Sequence, residues 1–242
     1  MCVSQHQLNN FATGNKTHVQ AHLHSTVADI HYAAHNHPHT TRRTPWPRGK
    51  EPQFDFYVVL DYEATCDTDD DGRRVPAFSR TDMEVIEFPA VIVDARQQPA
   101  QVVPDCEFQQ YVKPVLHPEL TEFCTDLTGI TQETVDAGCT FPEAYNGFLV
   151  WLSRLKLHGA DKRYSACIVT CGDWDQKTML PQQLLHTYAQ TGKKLPYPAI
   201  MKQWVNVKVP FRRAMRRGGG LERMLQGIRH PMTGRHHSGL SD

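Results

Sequence analysis

The sequence predicts an α/β fold, a mixed sheet of five strands flanked by helices, and three patterns lead there. Short β-branched and aliphatic runs supply the strands, helical periodicity begins only at residue 118, and from there the two kinds of segment alternate. The first three strands follow one another directly and form a meander. The later ones are reached through helices, and functional groups gather at the carboxyl ends of central parallel strands in such sheets.

The first strand, YVVLDYEATC from Tyr57 to Cys66, is the stretch around which the rest is arranged. Val58, Val59 and Leu60 suit a buried central strand, which ends in carboxylates at Asp61 and Glu63. Side chains at i and i+2 share a face, with Cα atoms roughly 6.5 to 7 Å apart. Asp67-Thr-Asp-Asp-Asp-Gly72 fits the first half of an EF-hand loop, but Phe78 stands at the twelfth position where a bidentate Glu is needed, so a polar hairpin turn is the better reading. Residues 84–95 and 107–113 read as the second and third strands, and Pro89 inside the second implies a bulge or an edge.

Helical signals follow. In residues 118–127, Leu120, Phe123, Cys124 and Leu127 fall at i, i+3, i+4 and i+7, and Gly129 ends the pattern. That spacing alone gives Phe123 to the core. Thr131 opens a short helix, and Thr140-Phe-Pro-Glu143 is a capping box for a longer one through Trp151 and Leu155. A short apolar strand spans residues 166–171. Asp173-Trp-Asp-Gln leads into a long helix closed by Gly192, residues 199–208 contain the last strand, and two short basic helices meet at Gly218-Gly-Gly220.

Composition narrows the class. Across 242 residues, 26 Lys and Arg balance 26 Asp and Glu. The balance hides a basic stretch: residues 202–235 hold nine cations against the lone Glu222, a surface suited to a polyanion or simply to solvent. No apolar window approaches the roughly 18 residues of a membrane span, and no signal peptide is legible, so an intracellular protein of the cytoplasm or nucleus is expected. Seven cysteines at irregular positions give no disulfide framework. Cys167 and Cys171, on one strand about 13 Å apart, are too far apart to share a zinc and read as reduced structural thiols. Residues 1–50 carry eight histidines without an apolar period and read as a disordered leader before a domain spanning 51–242.

Two carboxylates at the end of a buried strand repel each other and are poorly solvated, which divalent cations relieve. Mg²⁺ or Mn²⁺ prefers such oxygen donors, and two ions about 3.5 to 4 Å apart are the usual device for hydrolysing phosphodiesters. Taken alone, the doublet reads more readily as a solvated strand end. Asp175, however, follows the strand ending at Cys171 and emerges at the same sheet edge if the two strands are parallel neighbours. His237 and Asp242 are five positions apart, so a bend near Gly239 is needed for both to face one site.

Asp, Glu, Asp, His, Asp in that order resembles the DEDDh class of 3′-to-5′ exonucleases, and the segments VVLDYEATC, EFCTDLTGITQETVDAGCTFPE, VTCGDWDQKTMLPQQ and GLERMLQGIRHPMTGRHHSGLSD are similar to the Eri-type exoribonucleases. The resemblance implies a ribonuclease H-like (DnaQ-like) sheet. It implies that Asp61, Glu63, Asp175 and Asp242 hold two Mg²⁺ or Mn²⁺ ions and that His237 is the general base. It further implies that Phe123 and Trp174 sandwich the terminal base, and that Ala64 and Thr65 touch the last nucleotide through their backbone. The expected partner is an RNA 3′ end, single-stranded or in short structured RNA, with no membrane. His236 has no role, and Ser241 replaces a second Asp usual in the family. Family members continue through a helix after the last Asp, whereas Asp242 ends this sequence, so a truncated last helix is expected. Two other readings follow: a weakly active or inactive nucleic-acid-binding relative, and a DNA-directed exonuclease of the same class.

Overall fold

The computed structural model describes residues 52–68, 73 and 81–232. The leader, residues 69–72 of the acidic turn, and the expected His236, His237, Ser241 and Asp242 lie outside the described residues.

Six strand segments make one mixed sheet: β1 (Phe56–Leu60), β2 (Glu63–Ala64), β3 (Val85–Asp94), β4 (Gln101–Tyr111), β5 (Ala166–Thr170) and β6 (Trp204–Asn206). β4 runs along one edge of β3, so β1 and β2 must share the other, and the sheet is five strands wide. β1, β3 and β4 form the antiparallel meander. β5 pairs β1 in parallel and β6 pairs β5 in parallel, as helical crossovers require. The third strand is longer than its sequence implies, starting at Gln101.

Pro89 corrects one expectation: β3 is paired on both sides and is no edge strand. Its proline falls between Ala90, which pairs Leu60, and Glu87, which pairs Glu63. A residue without an N–H thus sits where the ladder is interrupted opposite Asp61, while the β3–β4 register shift lies elsewhere, at Val91/Val93. Leu60–Ala90 and Glu63–Glu87 keep the same phase, so alternation carries through the break. Leu60 and Tyr62 therefore enter the core, and Asp61 and Glu63 take the other face.

The helices are α1 (Glu122–Thr128), α2 (Gln132–Asp136), α3 (Phe141–Arg154), α4 (Leu180–Thr191), α5 (Lys208–Met215) and α6 (Leu221–Gly227). The Thr140–Glu143 capping box forms as its sequence implies. Phe148 of α3 packs on Phe88 and Phe108 of the sheet, with ring centroids 4.6 and 5.4 Å apart. α1 begins later than expected because Thr121 caps it, its hydroxyl accepting from the Cys124 N–H at 3.0 Å. Leu120 is thus outside the helix, and the apolar stripe shifts: Cys124 is fully buried while Phe123 is 36% exposed. Phe123 is therefore not the core residue that helical spacing alone implies.

Candidate nucleic-acid-cleaving site

β1 and β5 lie side by side and parallel, so their carboxyl ends open at one edge of the sheet. β5 stops at Thr170, leaving Cys171 just beyond the strand. The chain turns at Gly172, whose φ of 135° is a conformation L side chains rarely adopt. The Thr170 hydroxyl closes this turn by donating to the Gly172 carbonyl at 2.6 Å. Residues Asp175–Met179 then form a π-helical turn rather than the first turn of an α-helix. Pro181 explains the wider turn: with no N–H it cannot take the Lys177 carbonyl in the α pattern.

This turn aims Asp175 back across the sheet. Its Oδ1 accepts the Tyr62 backbone N–H at 3.0 Å, between residues 113 apart in sequence. Asp175 is 3% exposed, and burial pushes its carboxyl above the ordinary carboxylate range. The Tyr62 N–H, a hydrogen bond with the Asp61 side chain and the Lys208 ammonium partly oppose that rise. Asp61 and Asp175 thus come together at the carboxyl ends of β1 and β5, a crowded acidic pair that a cation would relieve. Glu63, also buried, occupies the same strand edge one alternation further on.

The donor chemistry fits a hard divalent ion: carboxylate oxygens gathered at one edge of the sheet. Among the described residues no three His, Cys, Asp or Glu side chains converge on a single ion position. Mg²⁺ does not require that, since it is commonly held by one or two carboxylates together with water and substrate phosphate.

Residues flanking the carboxylates hold the strand end in place. The Thr65 N–H donates to the Glu84 carbonyl at 2.8 Å, and the Glu84 N–H donates to the Thr65 hydroxyl at 2.9 Å. Thr65's N–H is therefore committed. The Cys124 thiol donates to the Ala64 carbonyl at 3.7 Å, and the Thr121 hydroxyl donates to the Cys66 carbonyl at 2.8 Å. These contacts tie the start of α1 to the strand, with Phe123 facing solvent beside it. Trp174, just before Asp175, packs half-buried against the core. An open groove next to Asp173 is lined by Lys202, Trp204, Asn206, Val209 and Pro210.

Three participants escaped sequence reasoning. Tyr62 acts through its backbone, which carries no residue-type signal. Lys208 stands two residues past β6, at the same carboxyl edge as Asp175, a placement the parallel order implied. Glu84 accepts the backbone N–H groups of Val115, Leu116 and His117, all from a loop about thirty residues away.

Residues 58–242 match the RNase_T family model, described as exonuclease. ERI1 exoribonuclease 3 of Homo sapiens is 35% identical over 192 residues, covering 78% of this chain and 51% of that protein. For 3'-5' exoribonuclease 1 of Rattus norvegicus the identity is 32% over 192 residues, covering 78% and 50%. The chain spans about half the length of these curated relatives. The nuclease domain of 3'hExo, a DEDDh family member solved bound to rAMP, matches with a TM-score of 0.65 and 31% identity, covering 79% of this chain and 88% of that one. Among the described residues no helix is long and apolar enough to cross a membrane.

Proposed function

The chain belongs to the RNase_T exonuclease family, in its Eri-type DEDDh branch, and from that premise we propose that it is a 3′-to-5′ exoribonuclease that removes nucleotides from RNA 3′ ends. The observation that carries this reading is the hydrogen bond of Asp175 to the Tyr62 N–H, beside Asp61, across the parallel β1–β5 pair.

In this reading Asp61, Glu63, Asp175 and Asp242 hold two divalent ions, Mg²⁺ or Mn²⁺. When bound, such ions make water a better nucleophile and stabilise the departing 3′ oxygen. His237 accepts the proton of the attacking water on its ring nitrogen, a role suited to histidine because its side chain gains and loses a proton near neutral pH. Phe123 and Trp174 hold the terminal base between their rings, which the exposure of Phe123 favours. Ala64 and Thr65 touch the last nucleotide through backbone groups other than the Thr65 N–H. Glu84 keeps Thr65 in place, and Tyr62 keeps Asp175 aimed at Asp61.

The test is a time course on matched 5′-labelled RNA and DNA with Mg²⁺, followed by identification of the released product. RNA shortening from its 3′ end with release of 5′-monophosphates, faster than DNA, supports the proposal. Preferential loss from DNA, or RNA that binds without shortening, overturns it.

A further inference from the structure

Beyond Lys208, which borders the carboxylates, the cations after β6 have no part in the site described above, yet they start beside it. Lys208 opens α5 with its backbone N–H capped by the Asn206 side chain at 3.0 Å. Its ammonium would lie 3.6 Å from a Cβ placed on Gly172, and it acts electrostatically on Asp175. The inner end of α5 is thus at the carboxylates. Arg212 lies one turn further out on nearly the same face, about 6 Å along the helix axis. Arg213 follows on the adjacent face of α5, and Arg216 and Arg217 lie just past its end.

The two basic helices make a packed unit. Gly227 of α6 sits so close to the Phe211 ring that a Cβ there would come within 2.9 Å of it. The Arg217 guanidinium donates to the Gly227 carbonyl at 3.3 Å, and Met224 is buried. Phe211 and Met224 therefore lie toward the contact between the helices, and Arg212, Arg213, Arg216 and Arg223 are exposed. Among the described residues none of these arginines has a carboxylate within ion-pair distance, the described pairs being Arg96–Asp94, Lys113–Asp136 and Lys156–Asp161. The one acid of the unit, Glu222, accepts from Gln226 instead. A cluster of like charges kept apart from acids, anchored on a packed hairpin, weakens folding through self-repulsion and strengthens binding to a polyanion.

We propose that the α5–α6 hairpin is a phosphate-tracking arm that holds the RNA backbone upstream of the nucleotide being removed, with Lys208 its inner end and Arg212 and Arg213 its next contacts. This rests on the exoribonuclease reading for the direction of the strand, but binding is measurable without turnover. The arm sets affinity and its dependence on RNA length, and leaves bond cleavage to the carboxylates.

The experiment is fluorescence anisotropy on 5′-labelled RNAs of about 3, 8 and 20 nucleotides with EDTA present, comparing wild type with Arg212→Gln/Arg213→Gln and with Arg212→Lys/Arg213→Lys across a salt series. Losing two phosphate contacts lowers the magnitude of the slope of log affinity against log salt by about 1.4. Affinity for the longest RNA falls roughly two- to thirtyfold, the loss grows with length, and the lysine variant retains wild-type behaviour. An unchanged slope, a loss independent of length, or poly-glutamate of matched charge binding as tightly as RNA would overturn the arm. RNA that binds in this manner but is never hydrolysed sinks the catalytic reading alone.

Discussion

Glu84→Gln separates the support of the site from its chemistry. The Glu84 carboxylate, 1% exposed, receives the N–H groups of Val115, Leu116 and His117 on Oε2 at 2.9, 2.6 and 3.1 Å, and that of Val115 again on Oε1 at 3.0 Å. A glutamine carbonyl can take the Oε2 position, but its amide nitrogen then points a donor at Val115. Hydrogen bonds to charged groups contribute about 1.5 to 3 kcal/mol each, roughly twice their neutral counterparts. Halving three of them costs about 2 to 4 kcal/mol, and the partial exposure of the loop favours the lower end. For a chain of this size 2 kcal/mol lowers Tm by about 4 to 8 °C. Because this loop leads through Thr121 into α1, Phe123 loses its fixed position and KM for RNA rises while the metal requirement is unchanged. Thermal unfolding with steady-state kinetics on one labelled RNA reads both. A Tm within about 1 °C of wild type would refute the reasoning, because it would mean that those three amides are satisfied equally well without a charge.

Other perturbations address the chemistry directly. Burial raises the Asp175 pKa above its unfolded value, so the folded metal-free protein binds the extra proton and loses stability as pH rises through the folded pKa. Asp175→Asn therefore abolishes turnover yet makes the metal-free protein more stable than wild type at pH 8, and parallel pH profiles of unfolding for the two would contradict this. Phe123→Ala and Trp174→Ala each remove a stacking surface worth about 1 to 3 kcal/mol, which raises KM roughly 5- to 150-fold. No change in KM would return these rings to a structural role. His237→Ala lowers kcat by about 10² to 10⁴ and removes the acidic limb of its pH profile, and a retained limb would assign the base elsewhere.

Much of this site was legible because the alternation of β1 and the crossover through α3 are visible in residue types. Val58, Leu60 and Tyr62 mark one face, which leaves Asp61 and Glu63 to the other, and the apolar run after α3 had to return parallel to β1. The π-helical turn was not legible: Pro181 signals a helix start as readily as a widened turn, and only the Tyr62–Asp175 contact shows which way the carboxylate points. Helical spacing alone would bury Phe123 because Leu120 completes a period on paper, whereas the Thr121 cap excludes Leu120 from α1. The edge reading of Pro89 failed for a related reason, while β3 carries register shifts near it. Proline interrupts a ladder, and the interruption here is on one side of an interior strand rather than at an edge. Glu84 gave no signal because its partners are backbone amides, which every residue type except proline possesses.

The most direct test of the central claim, that Asp61 and Asp175 meet at one metal-dependent centre, is cleavage of 5′-labelled RNA in Mg²⁺ by wild type and by Asp61→Ala, with unfolding curves confirming that both are folded. The account predicts a ladder receding from the 3′ end with wild type only, and none with either protein in EDTA. An Asp61→Ala protein that shortens RNA at the wild-type rate would contradict it.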